Sequence, residues 1–142
     1  MKKFLALIIA LVMALSLVAC GEKKDDTQGN GDGDATAAKV KVGFITLHDE
    51  NSTYDKNFID AAKEACANLG LVENEDYFIK TNVGKTEQCA EVAADLVDAG
   101  CNIIFADSFG HEPYMIQAAK DFPNVQFCHS TGTRAHTEGL SN

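Results

Sequence analysis

The chain has 142 residues, with 12 lysines and arginines against 21 aspartates and glutamates, a formal charge of −9 and 46% apolar residues. Such acidity excludes a nucleic-acid surface, whose phosphates need lysine and arginine, and gives no electrostatic grip on anionic lipid.

Met1-Lys2-Lys3 supplies positive charge, and Phe4 to Ala19 follows as an apolar run of 16 residues. A membrane-spanning helix needs about 20, so residues 1–19 read as a signal peptide. The run closes on Leu17-Val18-Ala19-Cys20. This resembles the lipobox of bacterial lipoproteins. It implies cleavage before Cys20, lipid such as palmitate on that cysteine, and a chain anchored on the extracytoplasmic face of the cell membrane. A plain secretory signal with a chance cysteine is the alternative. Residues 20–39 are then the lipidated cysteine and a flexible tether, rich in Gly, Asp, Lys and Thr. The alternating aspartates of GNGDGDATAA suit a calcium loop less well, because no glutamate closes the twelve-residue pattern.

The folded part runs over residues 40–142, enough for one core. Val40 to Thr46 (VKVGFIT) is β-branched and aromatic, a strand. Phe58, Ala61, Ala62, Ala65, Cys66 and Leu69 recur at helical spacing before Gly70. Tyr77 to Thr81 is a short strand. Cys89, Val92, Ala93, Leu96 and Val97 form a second helical stripe ending at Gly100. Ile103 to Ala106 is a strand apolar throughout, as a central strand buried on both faces requires. Pro113 opens a third helix with Met115, Ala118, Ala119 and Phe122 inward, and Asn124 to Cys128 is the last strand. Alternation in units of roughly 30 residues predicts an α/β fold: a parallel sheet of about four strands in the order 2-1-3-4, with helices on both faces.

Ligands of such sheets sit beyond the carboxyl ends of the strands. That edge collects His48 to Asn57, Asp107-Ser108-Phe109, and His129 to Thr133. A turn needs no phenylalanine and a core needs no aspartate, so the segment after the third strand is the candidate site. Phe109 offers a stacking face. Asp55 and Asp107 offer acceptors for hydroxyl or ring N–H groups. Lys56 and Arg134 are the basic residues among these loops, which disfavours a multiply charged phosphate. Each residue also has a structural role open to it: Asp55 as a helix N-cap, Phe58 as core, Asp107 and Ser108 as turn caps. Tyr54 is either an exposed aromatic or a binding face, and His48 and His129 read as polar loop residues. Cys66, Cys89, Cys101 and Cys128 read as small buried hydrophobes, because the strand order keeps them apart. No nucleophile–base pair, phosphate loop, cofactor motif or metal spacing stands out; His129 and His136 in one loop are weak. The residues therefore point to no enzyme.

The segment IIFADSFGHEPYMIQAAKDFPNVQFCHSTG, with KVGFIT and DKNFIDAAKEA, resembles the PnrA-like basic membrane protein family over Lys39 to about Gly132. The resemblance implies a substrate-binding lipoprotein of an ABC importer, partnered by permease and ATPase subunits, with a two-lobed type I periplasmic-binding-protein-like fold. It implies a purine nucleoside or similar small polar ring as ligand, held between lobes. Asp55 and Phe58 match the family's aspartate–lysine–x–phenylalanine segment. Ser108, Phe109 and Gly110 match its strand-three loop, in which Asp107 fills the variable position. The loop Leu47 to Tyr54 is about two residues longer than the family's. The family continues past the equivalent of Asn142 into a second lobe, so residues 40–142 are expected to form a partial first lobe that holds nucleosides weakly. A sugar-binding protein of the ribose type and a one-lobe sensory or interaction domain are the alternatives.

Overall fold

The structure is a computed structural model and describes residues 39–134. The segments read as a signal peptide and a tether, up to residue 38 and with Cys20 among them, lie outside the described residues, as does His136. Four strands alternate with three helices: β1 Val42–Ile45, α1 Thr53–Asn68, β2 Tyr77–Lys80, α2 Glu87–Asp98, β3 Ile103–Ala106, α3 Glu112–Asp121 and β4 Gln126–His129. A single 3-10 turn, Phe109–His111, joins β3 to α3. The sheet is parallel throughout in the order β2-β1-β3-β4. Gly43 pairs with Ile104 and Ala106 with His129.

The strands alternate strictly between two cores. Ile45, Ile104, Ala106 and Phe127 meet Cys89, Ala93 and Leu96 of α2 and Met115, Ala118 and Ala119 of α3. Val42, Phe44 and Tyr77 face the other way, against Ala62 and Cys66 of α1. There the Phe44 ring stacks on Phe105 at 5.5 Å and meets Phe58 and Tyr77 edge-on at 6.2 and 6.4 Å. Such aromatic pairs each add about 0.5–1.5 kcal/mol beyond their buried area.

This asymmetry corrects the expectation of a β3 buried on both sides. Ile104 and Ala106 are fully buried, whereas Ile103 and Phe105 are half-buried, because one helix covers their face and two cover the other. The α1 stripe also differs from its sequence reading. The buried residues are Asp55, Ile59, Ala62 and Cys66, while Ala61, Ala65 and Leu69 face water. A buried carboxyl in the first turn sets the rotation of the helix, and positions at helical spacing from it inherit the inward face. Gly70 and Gly100 end α1 and α2 with φ of 71° and 91°, the left-handed stops expected of them. Cys66 and Cys89 lie in opposite cores, and all four cysteines are free; Cys128 is half-buried where full burial was expected.

The close seat of α2 on β1 depends on Gly43. A Cβ there would lie 2.8 Å from Leu96 Cδ1 and 3.2 Å from Ile104 Cγ1, both of them fully buried. Gly43→Ala is expected to cost about 1–3 kcal/mol through overpacking. This is read as a lower urea midpoint at unchanged slope; an unchanged midpoint would show that α2 is not seated this way.

Candidate functional site

In the strand order 2-1-3-4 the chain leaves β1 toward one face, through α1, and leaves β3 toward the other, through α3. The loops after β1 and β3 therefore part company between two neighbouring strands. That divergence is the switch point at which open α/β sheets hold ligands.

The hydrogen-bond ladder of β1 runs on to Thr46, whose N–H reaches the Lys80 carbonyl at 2.9 Å. The next two amides have no strand partner. Leu47 N–H donates to Asp107 Oδ1 at 3.2 Å, and His48 N–H donates to Asp55 Oδ1 at 2.9 Å. Asp55 Oδ2 also accepts from the Ser52 hydroxyl at 2.6 Å and lies 3.1 Å from His48 Nδ1. The Tyr54 and Ser130 hydroxyls both donate to the Asp107 carbonyl, at 3.1 and 2.9 Å. His129 Nε2 donates to the Ser108 carbonyl at 2.6 Å. Three loops are thus stitched to one point beyond β3.

Ser52, not Asp55, is the N-cap of α1; Asp55 sits in the first turn and returns a contact to Ser52. Asp55 and Asp107 are 2% and 0% exposed, so both carboxyls point into the protein. Short side chains beside backbone amides that lack a strand partner are drawn inward to them, so the contacts these two carboxyls make here are with the protein. Burial and the neighbouring Asp55 carboxyl push the Asp107 carboxyl up to about 7. Burial alone would raise Asp55 as well, but Ser52, the His48 amide and ring, and Asp107 hold it well below the usual carboxylate range. Ser108 is buried beside Asp107. Phe58 packs edge-on against Phe44, so the contacts it makes are core contacts. Phe109 remains 66% exposed, and Tyr54, whose hydroxyl tethers it to the end of β3, is 56% exposed. Two exposed aromatic side chains thus lie next to the end of β3.

Three residues that sequence reasoning passed over contribute here, with Ser130, which it placed at this edge without a role. Lys85, in the loop after β2, lays its aliphatic chain on Gly110; a Cβ at Gly110 would overlap Lys85 Cδ and Cγ. A cation thus reaches the edge beside Phe109, which corrects the inventory limited to Lys56 and Arg134. His111 is fully buried, its Nε2 donating to the Val83 carbonyl at 2.9 Å. Burial holds it below the usual histidine range. Glu112 accepts the Thr133 and Arg134 amides and pins the segment after β4. Ser130 supplies a hydroxyl to Asp107. Their partners lie 21 or more residues away in sequence, so no local pattern marks them; His129, read as a polar loop residue, ends β4 and hydrogen-bonds the Ser108 carbonyl. A groove of about 360 Å³ between α2 and α3, bordered by Glu87, Glu91 and Asp121, lies away from these rings.

No family model matches the chain. Over 97 residues it is 35% identical to a purine-binding protein of Brucella abortus, a stretch covering 66% of this chain and 27% of that protein. It superposes with a TM-score of 0.52, at 20% identity, on an ABC transporter solute-binding protein from Conexibacter woesei, covering 62% of this chain and 28% of that one. It also superposes, with a TM-score of 0.53 at 21% identity, on a transcriptional activator of the comK gene from Bacillus halodurans, covering 63% and 29%. The fold is periplasmic-binding-protein-like. The chain spans under a third of the length of each of these relatives.

Ser52 both caps α1 and donates to Asp55. Ser52→Ala is expected to cost about 1–2 kcal/mol, measured as a shift of the urea midpoint. A loss under a few tenths would show that Asp55 is held without it.

Proposed function

We propose that the chain is an extracytoplasmic solute-binding lipoprotein of an ABC importer, of the PnrA-like basic membrane protein type, and that its solute is a purine nucleoside or similar small polar ring. The observation that carries this reading is Phe109, an aromatic side chain left 66% exposed at the switch point of a parallel sheet. The similarity to a purine-binding protein supports it.

In this reading the ring of the solute lies on Phe109, with Tyr54 flanking it. Stacking on an aromatic ring is worth about 1–3 kcal/mol per base and tolerates any planar face. Lys85 supplies three N–H donors and no acceptor, so it favours the acceptor edge of a ring or a negatively charged substituent. Asp55 and Asp107 shape the floor and do not touch the solute. Cys20 carries the lipid, the tether holds the domain clear of the membrane, and permease and ATPase subunits receive the solute. The protein performs no chemistry on what it carries.

Adenosine, guanosine, inosine and ribose titrated into the ¹⁵N-labelled chain would test this. Nucleosides are expected to shift the Phe109, Gly110 and Tyr54 amides. Affinity is expected in the millimolar range: one sheet edge covers about half of a solute, and half of about 8 kcal/mol is millimolar. Phe109→Ala is expected to weaken binding tenfold or more. Shifts from ribose equal to those from nucleosides would favour a sugar carrier, and an absence of shifts at this edge would overturn the reading. Labelled palmitate entering the wild-type chain and not the Cys20→Ser variant would support the anchor; none in either would remove it.

A further inference from the structure

We infer that Asp107 is a positioning residue: its carboxyl group holds a proton against Asp55, and this one hydrogen bond latches the loop after β1 to the loop after β3 across the switch point. The inference concerns the shape of the edge and does not depend on which solute binds there.

The geometry is that of an unequal carboxyl pair. Asp107 is fully buried, its Oδ1 takes the Leu47 amide, and no donor reaches its Oδ2 among the described residues. The Asp55 carboxyl is brought alongside by the same backbone, since the consecutive amides of Leu47 and His48 donate to Asp107 and Asp55 in turn. Asp55 is already furnished with the His48 amide, the Ser52 hydroxyl and the His48 ring. Two carboxylates in contact away from water cannot both ionise. The proton belongs on the partner with fewer donors, and that is Asp107. A proton there turns the orphaned Oδ2 into a donor and supplies the missing bond. The opposite pKa displacements of the two groups agree with this assignment.

The charged and titratable groups facing the pair are few. His48, half-exposed in the loop after β1, faces Asp55. His111, from the start of α3, lies within electrostatic reach of Asp55, and His129 of β4 and Lys85 lie within reach of His111. Toward Asp107, α1 presents the neutral Tyr54 hydroxyl and the segment after β4 the neutral Ser130 hydroxyl. Among the described residues, the ion pair that reaches this carboxyl pair is that of His48 with Asp55.

The sign of the linkage follows. A carboxyl raised in the folded chain stabilises it fully below the unfolded value of 3.8, and this contribution is lost as pH rises to about 7. Asp55, depressed, contributes a constant amount once pH is well above its unfolded value of 3.8, and so throughout the pH range compared below. His111, also depressed, gives the opposite slope below its ordinary 6.5, so wild type must be compared with a variant that changes Asp107 alone.

Asp107→Asn is that variant. Its amide donates to Asp55 without titrating and still accepts from Leu47. Urea unfolding of the chain with and without this substitution at pH 5, 6, 7 and 8 is the experiment. The wild-type folding constant is expected to fall relative to Asp107→Asn by up to tenfold per pH unit between pH 5 and 7, and to level off above. In ¹⁵N spectra the wild-type Leu47 amide, which donates to Asp107, is expected to titrate near pH 7, and that of Asp107→Asn to stay fixed. Parallel stability profiles, or the same amide titration in both proteins, would overturn the latch. So would an Asp107→Asn as damaged as Asp107→Ala at every pH. If Asp107→Ala fails to fold, the comparison of wild type with Asp107→Asn still decides.

Discussion

Where the strands of a parallel sheet end, backbone amides lose their ladder partners and must be satisfied by something else. At the switch point of this sheet, two aspartates take that role. Leu47 and His48, the first residues of β1's continuation without a strand to pair with, donate to Asp107 and Asp55. Everything else at the edge hangs from that arrangement. Tyr54 and Ser130 bind the Asp107 carbonyl, and Ser52 caps α1 while supporting Asp55. The carboxyls hold the edge together, and Phe109 and Tyr54 are aromatic rings left exposed beside it.

The sheet beneath is built unevenly. Two helices of small and branched residues close one face tightly enough that Gly43 has no room for a methyl group. The other face rests under α1, with a cluster of four rings around Phe44 and with Ile103 and Phe105 left half-covered. Leu69 and Val72 are also exposed in the described residues. The tightly packed face carries α3 and the 3-10 turn that includes Phe109. The half-covered face carries α1, whose entry loop is bound to the sheet edge by Asp55, Asp107 and Tyr54.

Lys85 shows how such an edge acquires chemistry from remote parts of the chain. Its stem covers Gly110, and this contact is available because residue 110 has no side chain. The glycine that resembles a family motif in sequence is, in the fold, the bed for a lysine 25 positions earlier.

The sequence by itself determined the order and type of the elements, since each depends on local periodicity and on stops such as Gly70 and Gly100. It also determined the parallel order 2-1-3-4, because right-handed crossovers leave few other ways to bury both faces, and it marked Phe109 as a residue no core or turn requires. Which stripe of α1 turns inward was not legible, because α1 carries apolar residues on more than one side and a buried Asp55 made the choice. Whether Asp55 and Asp107 face solute or protein was equally hidden. An aspartate in a loop reads the same either way, and only the folded chain brings two orphaned amides within reach of the carboxyls and excludes the water that would otherwise have bound them.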